Sequence, residues 1–280
     1  MLTRSFIFAK GMTEEVERQL WSRGLVSWEV VRKHPGEAAE VLGNFRAQKL
    51  VEAVNDAQRA LDAADLAWFK TNWPERERWR LWEGFCLPEQ VALVDIETTG
   101  LTPGYDQITV IGLADSKEAR VFVAGRPMAG DEVLDRFREA IKPYRLVVTF
   151  NGTNFDMPFI EKQFREANFR FEQPHLDLIM PARSLGLTGG LKDMEKQIGI
   201  VRSADIKEIR GNEAVVLWGA WKNGDQNAYK RLTTYCMADC TNLRDFAAHI
   251  YRVKWEKIYT AHAKPIDFAR LKGEQMTIFG

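Results

Sequence analysis

The pattern of apolar and polar positions divides the chain into two regions of different period. Up to about residue 85 the apolar residues recur at helical spacing. Val16, Leu20 and Trp21 share one face of a segment from Glu14 to Trp21, and Gly24 follows as a stop. The same spacing, carried by Ala38, Val41, Leu42, Phe45, Leu50, Val54 and Leu61, predicts helix over Glu37 to Ala67. Trp68, Trp73, Trp79 and Trp82 then gather around Pro74 and the mixed-charge run from Glu75 to Arg80. Aromatics interleaved with arginines can stack bases and touch phosphates. Packing of the helical segment is the commoner use of tryptophan, and it is the reading preferred here.

From about residue 86, short apolar runs alternate with helical patterns. Val91 to Glu97, Gln107 to Ala114 and Ala119 to Val123 predict three strands joined by tight links, as in an antiparallel meander. Asp131 to Ile141 reads as a helix and Leu146 to Phe150 as a buried strand. A helix follows from Phe155 to Glu166, with Pro158 tolerated in its first turn. His175 to Leu178 is a short strand. Further helices are expected over Leu191 to Ile198, Glu213 to Trp221 and, longest, Asp225 to about Lys257. The expected layout is a helical N-terminal domain (1–85), an α/β domain (86–257) and a C-terminal tail (258–280).

Composition narrows the function classes. The 39 Lys and Arg balance the 39 Asp and Glu, which excludes a globally basic nucleic-acid binder but leaves room for a local basic groove. Three cysteines form no disulfide framework, so a reducing cytoplasm is expected. Cys236 and Cys240 share a helical face, but no second Cys or His pair accompanies them, and a zinc site is not expected. No apolar run is long enough to span a membrane and no signal-peptide pattern is visible.

Three stretches carry candidate chemistry. Asp95 and Glu97 end the apolar run Val91 to Val94 at a spacing of two, which puts both carboxylates on one face of a strand. Like charges that close call for a divalent cation, and hard oxygen ligands suit Mg²⁺ or Mn²⁺. Thr98-Thr99-Gly100 then turns the chain. Asp156, in Asn151-Gly-Thr-Asn-Phe155-Asp156-Met-Pro-Phe, stands where a strand hands over to a helix, a position the helix dipole favours for an anion. Tyr235 and Asp239 are four apart on a late helix and share a face. Each stretch alone has an ordinary explanation: an exposed acidic strand end, an N-terminal cap, a surface hydrogen bond. The ordered set is far more specific.

That set resembles the DEDD superfamily of 3′–5′ exonucleases, on the ribonuclease H-like fold. The tyrosine of the third stretch marks the DEDDy branch. The second and third stretches resemble the proofreading exonuclease of family B DNA polymerases. With His175-Leu-Asp177-Leu and Gly189-Gly-Leu-Lys192-Asp-Met-Glu195, the chain is closer still to stand-alone bacterial RNase H-like exonuclease-domain proteins. The likeness covers roughly 86–250, and no polymerase domain fits in the rest.

The resemblance implies a mixed five-stranded sheet flanked by helices. It implies one metal ion held by Asp95, Glu97 and Asp239, and a second by Asp95 with Asp156, partly through water. The two ions, Mg²⁺ or Mn²⁺, clamp the attacking and leaving oxygens of an in-line displacement that releases a nucleoside 5′-monophosphate. Tyr235 would orient the attacking water. Thr98, Asn151 and Phe155 would contact the terminal nucleotide, and Lys192, opening a helix after Gly189-Gly190, a phosphate. Asp177 is either a supporting acid behind the metal ligands or a structural hydrogen-bond partner. The expected substrate is single-stranded DNA, in repair or replication. RNA is the nearest alternative, and a weakly active nucleic-acid-binding adaptor the alternative from another class.

The chain ends Gln275-Met276-Thr-Ile278-Phe279-Gly280 after a stretch of little periodicity. Gln275 followed by apolar Met276, Ile278 and Phe279 resembles the short peptide by which bacterial replication and repair proteins dock on the sliding clamp. An extended tail with apolar anchors is the form such docking takes.

Overall fold

The computed structural model describes residues 2–124, 132–163, 169–204, 206, 209 and 211–260. The chain divides into two compact units, the first comprising the chain up to Phe85 and from Tyr251 onward, the second from Cys86 to Ile250.

The first unit is helical. Thr13 caps α1 (Glu14–Ser22), its hydroxyl accepting from the Val16 N–H at 3.3 Å. Ser27 caps α2 (Trp28–Lys33) in the same way. The stretch expected as one helix from Glu37 to Ala67 is three: α3 (Pro35–Leu42), α4 (Asn44–Asp62) and α5 (Leu66–Asn72). Gly43 breaks the first junction at φ 80° and Ala64 the second at φ 56°. These left-handed residues interrupt the helical hydrogen bonds while the apolar stripe runs on, which is why periodicity alone joins the pieces. Trp21, Trp28, Trp73 and Trp79 are buried, so these tryptophans pack the unit. Arg80, from the mixed-charge run, is also buried; it pairs with buried Glu17 at 2.8 Å, and Glu17 accepts from Ser5 and from the Phe6 N–H. A charge pair placed so deep is tolerated because each group is hydrogen-bonded.

The second unit is a five-stranded sheet in the order β3-β2-β1-β4-β5, from β1 (Val91–Thr98), β2 (Ile108–Ala114), β3 (Ala119–Val123), β4 (Leu146–Thr149) and β5 (His175–Asp177). The β1–β2 and β2–β3 pairs are antiparallel, as the meander predicts; β1–β4 and β4–β5 are parallel. The sheet is therefore mixed and five-stranded, with β1 at its centre.

Each face carries its own core. Val94, Ile96, Ile111 and Val147 pack with Phe137, Ile141, Phe159 and Ile160, which come from α6 (Glu132–Ile141) and α7 (Asp156–Gln163). On the other face Val110 packs with Leu217 and Trp218 of α10 (Gly211–Lys222) and with Leu232, Tyr235 and Cys236 of α11 (Gln226–Trp255). Two short helices complete the unit, α8 (Ile179–Ser184), which periodicity missed, and α9 (Leu191–Gln197). No helix among the described residues is long and apolar enough to cross a membrane.

Gly112 explains how α11 comes so close to the sheet. It faces Asp95 across the β1–β2 ladder. A Cβ there would lie 2.3 Å from Cys240 Sγ and 2.9 Å from Cys236 Sγ. The missing side chain is the space that the two thiols fill.

Candidate active site

Alternation along β1 sets the site's floor. Val94 and Ile96 point into one core, so Asp95 and Glu97 point to the opposite face, where α11 lies. A register shift between Glu97 and Thr98 ends the regular β1–β2 pairing at that point. Asp156 arrives from the β4 side as the first residue of α7. The Ile96 N–H of β1 favours its charged form, against the effect of burial. Tyr235 and Asp239 reach in from one face of α11 and line the same cavity.

Asp95, Glu97, Thr98, Asn151, Phe155, Asp156, Tyr235 and Asp239 all line one cavity of about 690 Å³, together with Leu101, Arg183 and Val215. Two of the expected site residues stand apart from that lining. Lys192 holds its Nζ 4.2 Å from the centre of the Tyr235 ring. Asp177 turns to the backbone: one carboxylate oxygen accepts from the N–H groups of Asn151 at 2.7 Å and Ile179 at 3.1 Å, the other from Thr153 at 3.0 Å. Asp177 thus shapes the loop in which Asn151 sits at φ 63°. Gln275, Met276, Ile278 and Phe279 lie outside the described residues.

Burial and mutual repulsion govern the charge of the cluster. Burial pushes the Asp95 carboxyl well above the usual range, and the charges of Asp239, Asp156 and Glu97 push it further. Glu97 is driven up by the same causes, against which Lys192 and Arg202 pull down. Asp156 is raised by burial to about 7, even though the Ile96 N–H opposes the shift. Asp239 is raised by burial and held back by Arg202. Burial and the surrounding carboxylates raise the Tyr235 phenol, which stays a hydrogen-bond donor. Four acids converge with too little positive charge to neutralise them, and a divalent cation fits such a set of hard oxygen donors.

Two further residues enter the site that spacing did not single out. Among the described residues, one group of three brings its potential ligand atoms within 4.8 Å of one another: Asp95, Glu97 and Cys236. The Cys236 thiol is buried and points at the Asp95 carbonyl oxygen, 3.8 Å away. Arg202 follows α9 and makes two bonds to Glu195, at 2.6 and 2.7 Å, while its third nitrogen contacts Asp239. Neither approach is recorded in local spacing, because both join segments far apart in the chain. Cys236 had one local signal, its place between Tyr235 and Asp239; Arg202 had none.

The fold and the site define the class. A family model described as the RNase H superfamily matches residues 92–251, more than half of the chain. The chain therefore belongs to the RNase H superfamily. No curated protein matches it. Among solved structures it is similar to the family B DNA polymerase from the hyperthermophilic archaeon Pyrobaculum calidifontis, at 16% identity and a TM-score of 0.49. The similarity covers 68% of this chain and 28% of the polymerase chain.

Proposed function

We propose that the domain is a metal-dependent 3′–5′ exonuclease of the DEDDy type, acting on single-stranded DNA and releasing nucleoside 5′-monophosphates. Membership of the RNase H superfamily supports nuclease activity in general terms. The observation that carries the finer reading is the convergence of Asp95, Glu97, Asp156 and Asp239, with Tyr235 beside Asp239, in one cavity. Side chains from β1, α7 and α11, separated by up to 144 positions of sequence (239 minus 95), meet there.

In this reading Asp95, Glu97, Asp156 and Asp239 hold two divalent ions, Mg²⁺ or Mn²⁺. Such ions, when bound, supply Lewis-acid stabilisation to a phosphodiester and lower the pKa of water. The chain's own groups do the rest. The Tyr235 hydroxyl, beside Asp239 in the cavity, orients a water through its oxygen. Asn151 and Thr98 offer polar contacts to a terminal nucleotide, and Phe155 a ring face for its base. Lys192 holds its ammonium over the Tyr235 ring and adds positive charge beside an acidic cluster. The proposed setting is cytoplasmic DNA repair or replication. Gln275, Met276, Ile278 and Phe279 are proposed to dock on a sliding clamp.

The test uses 5′-labelled single-stranded DNA, duplex DNA and RNA of one sequence, each with Mg²⁺ or Mn²⁺. Single-stranded DNA shortened in one-nucleotide steps faster than RNA supports the reading. Faster digestion of RNA moves the substrate to RNA, and binding without turnover makes the protein an adaptor.

A further inference from the structure

The acidic cluster has a fixed neighbour that its proposed chemistry does not explain. The Arg202 side chain is only 5% exposed, and those of its partners Glu195 and Asp239 are 1% and 8% exposed. Its Nε and Nη2 grip both oxygens of Glu195, at 2.6 and 2.7 Å. Its Nη1 contacts Asp239 Oδ1. Glu195 also accepts from Asn242 Nδ2 at 3.2 Å, and Asn242 lies three residues after Asp239 on the same helix. The result is a closed frame: Asp239 to Arg202, Arg202 to Glu195, Glu195 to Asn242, and back along α11.

A planar guanidinium locked bidentately by one carboxylate has little freedom left, so the nitrogen aimed at Asp239 is held in place. We infer that Arg202 is the positioning residue of the site, fixing the Asp239 carboxylate through one of its oxygens so that the rest of the group stays aimed into the cavity. Glu195 and Asn242 act one step further back, by holding Arg202. Fixing a donor group in advance removes part of the cost of ordering it when an ion arrives, and partners that orient a metal ligand commonly contribute about 10- to 100-fold in affinity or activity. The opposite role, a resident cation that competes with the metal, would need a guanidinium free to leave, and the Glu195 bonds tether it.

The inference rests on the nuclease reading, and its test separates the two. Mn²⁺ binding is measured by electron paramagnetic resonance on the full chain, wild type against Arg202→Gln, Arg202→Lys and the double variant R202Q/E195Q. The double variant removes both buried charges together, which guards against misfolding from an unpaired Glu195. Circular dichroism confirms folding. Mn²⁺ affinity is expected to fall about tenfold in all three, with kcat reduced and KM for DNA little changed. Arg202→Lys should not restore it, because one ammonium lacks the fork that spans both carboxylates. Wild-type or tighter Mn²⁺ binding by folded R202Q and R202Q/E195Q, in an enzyme that digests DNA, overturns the inference and leaves the nuclease reading standing. A wild-type protein that neither binds Mn²⁺ nor digests DNA removes both.

Discussion

With its carboxyl raised to about 7, Asp156 keeps a proton over a range where the unfolded chain has already lost it. The unfolded value is about 4. Between these two values the folded state binds more protons, so this group's contribution to stability falls as pH rises from about 4 to about 7. Asp95 and Glu97, raised by burial and by the charges of Asp239 and Asp156, act in the same direction. Metal-free protein should therefore lose melting temperature between pH 5 and pH 8, and Asp156→Asn should flatten that decline. Calorimetry at both pH values checks it; an equal or steeper decline in the variant would contradict the burial argument. Mg²⁺ at pH 8 should restore the loss, because it binds the folded state. On activity, Asp95→Ala and Asp239→Asn should reduce DNA turnover by about a thousandfold or more while the proteins stay folded, since each removes a proposed metal ligand. Tyr235→Phe should cost about ten- to a hundredfold, because it removes one oriented hydroxyl and no carboxylate. Steady-state rates on a labelled oligonucleotide give the ranking, and a Tyr235→Phe loss equal to that of Asp95→Ala would give the phenol a larger role.

Among the secondary-structure elements, β2 and α11 approach closely at Gly112. Gly112→Ala would drive a methyl group into the Cys240 and Cys236 thiols. Because Tyr235 and Asp239 flank Cys236 on α11, displacing that helix displaces them too. The substitution should cost about 1–3 kcal/mol of stability by overpacking and lower turnover. Cys240→Ala in the same chain should recover part of both, as thermal melts and rates will show; no recovery would mean that Gly112 matters for the strand itself. This contact also marks where the sequence stops being readable. The strands β1 to β4 were visible because apolar runs bounded by turn residues have a period of their own. The carboxylate pair on β1 followed from that period, as did the shared face of Tyr235 and Asp239. The approach of Cys236 to Asp95, and of Arg202 to Asp239, depends on how α9 and α11 lie on the sheet, which no local spacing records. The helix breaks at Gly43 and Ala64 were hidden for a different reason: the apolar stripe continues across them.

For the whole molecule, the proposed activity begins at a free 3′ end. The tail can be tested separately. Removing residues 275–280 should leave digestion of free DNA unchanged and abolish any stimulation by a cognate clamp; loss of basal activity would instead tie the tail to the enzyme. The expected clamp affinity is micromolar, on the order of −8 kcal/mol, as suits a short docking peptide. The most direct measurement is a time course on 5′-labelled linear single-stranded DNA with Mn²⁺, run beside a closed single-stranded circle and beside the Asp95→Ala variant. The expected result is a ladder that shortens from the 3′ end by one nucleotide at a time, an intact circle, and no products from the variant. Opening of the circle, or equal digestion by Asp95→Ala, would contradict it.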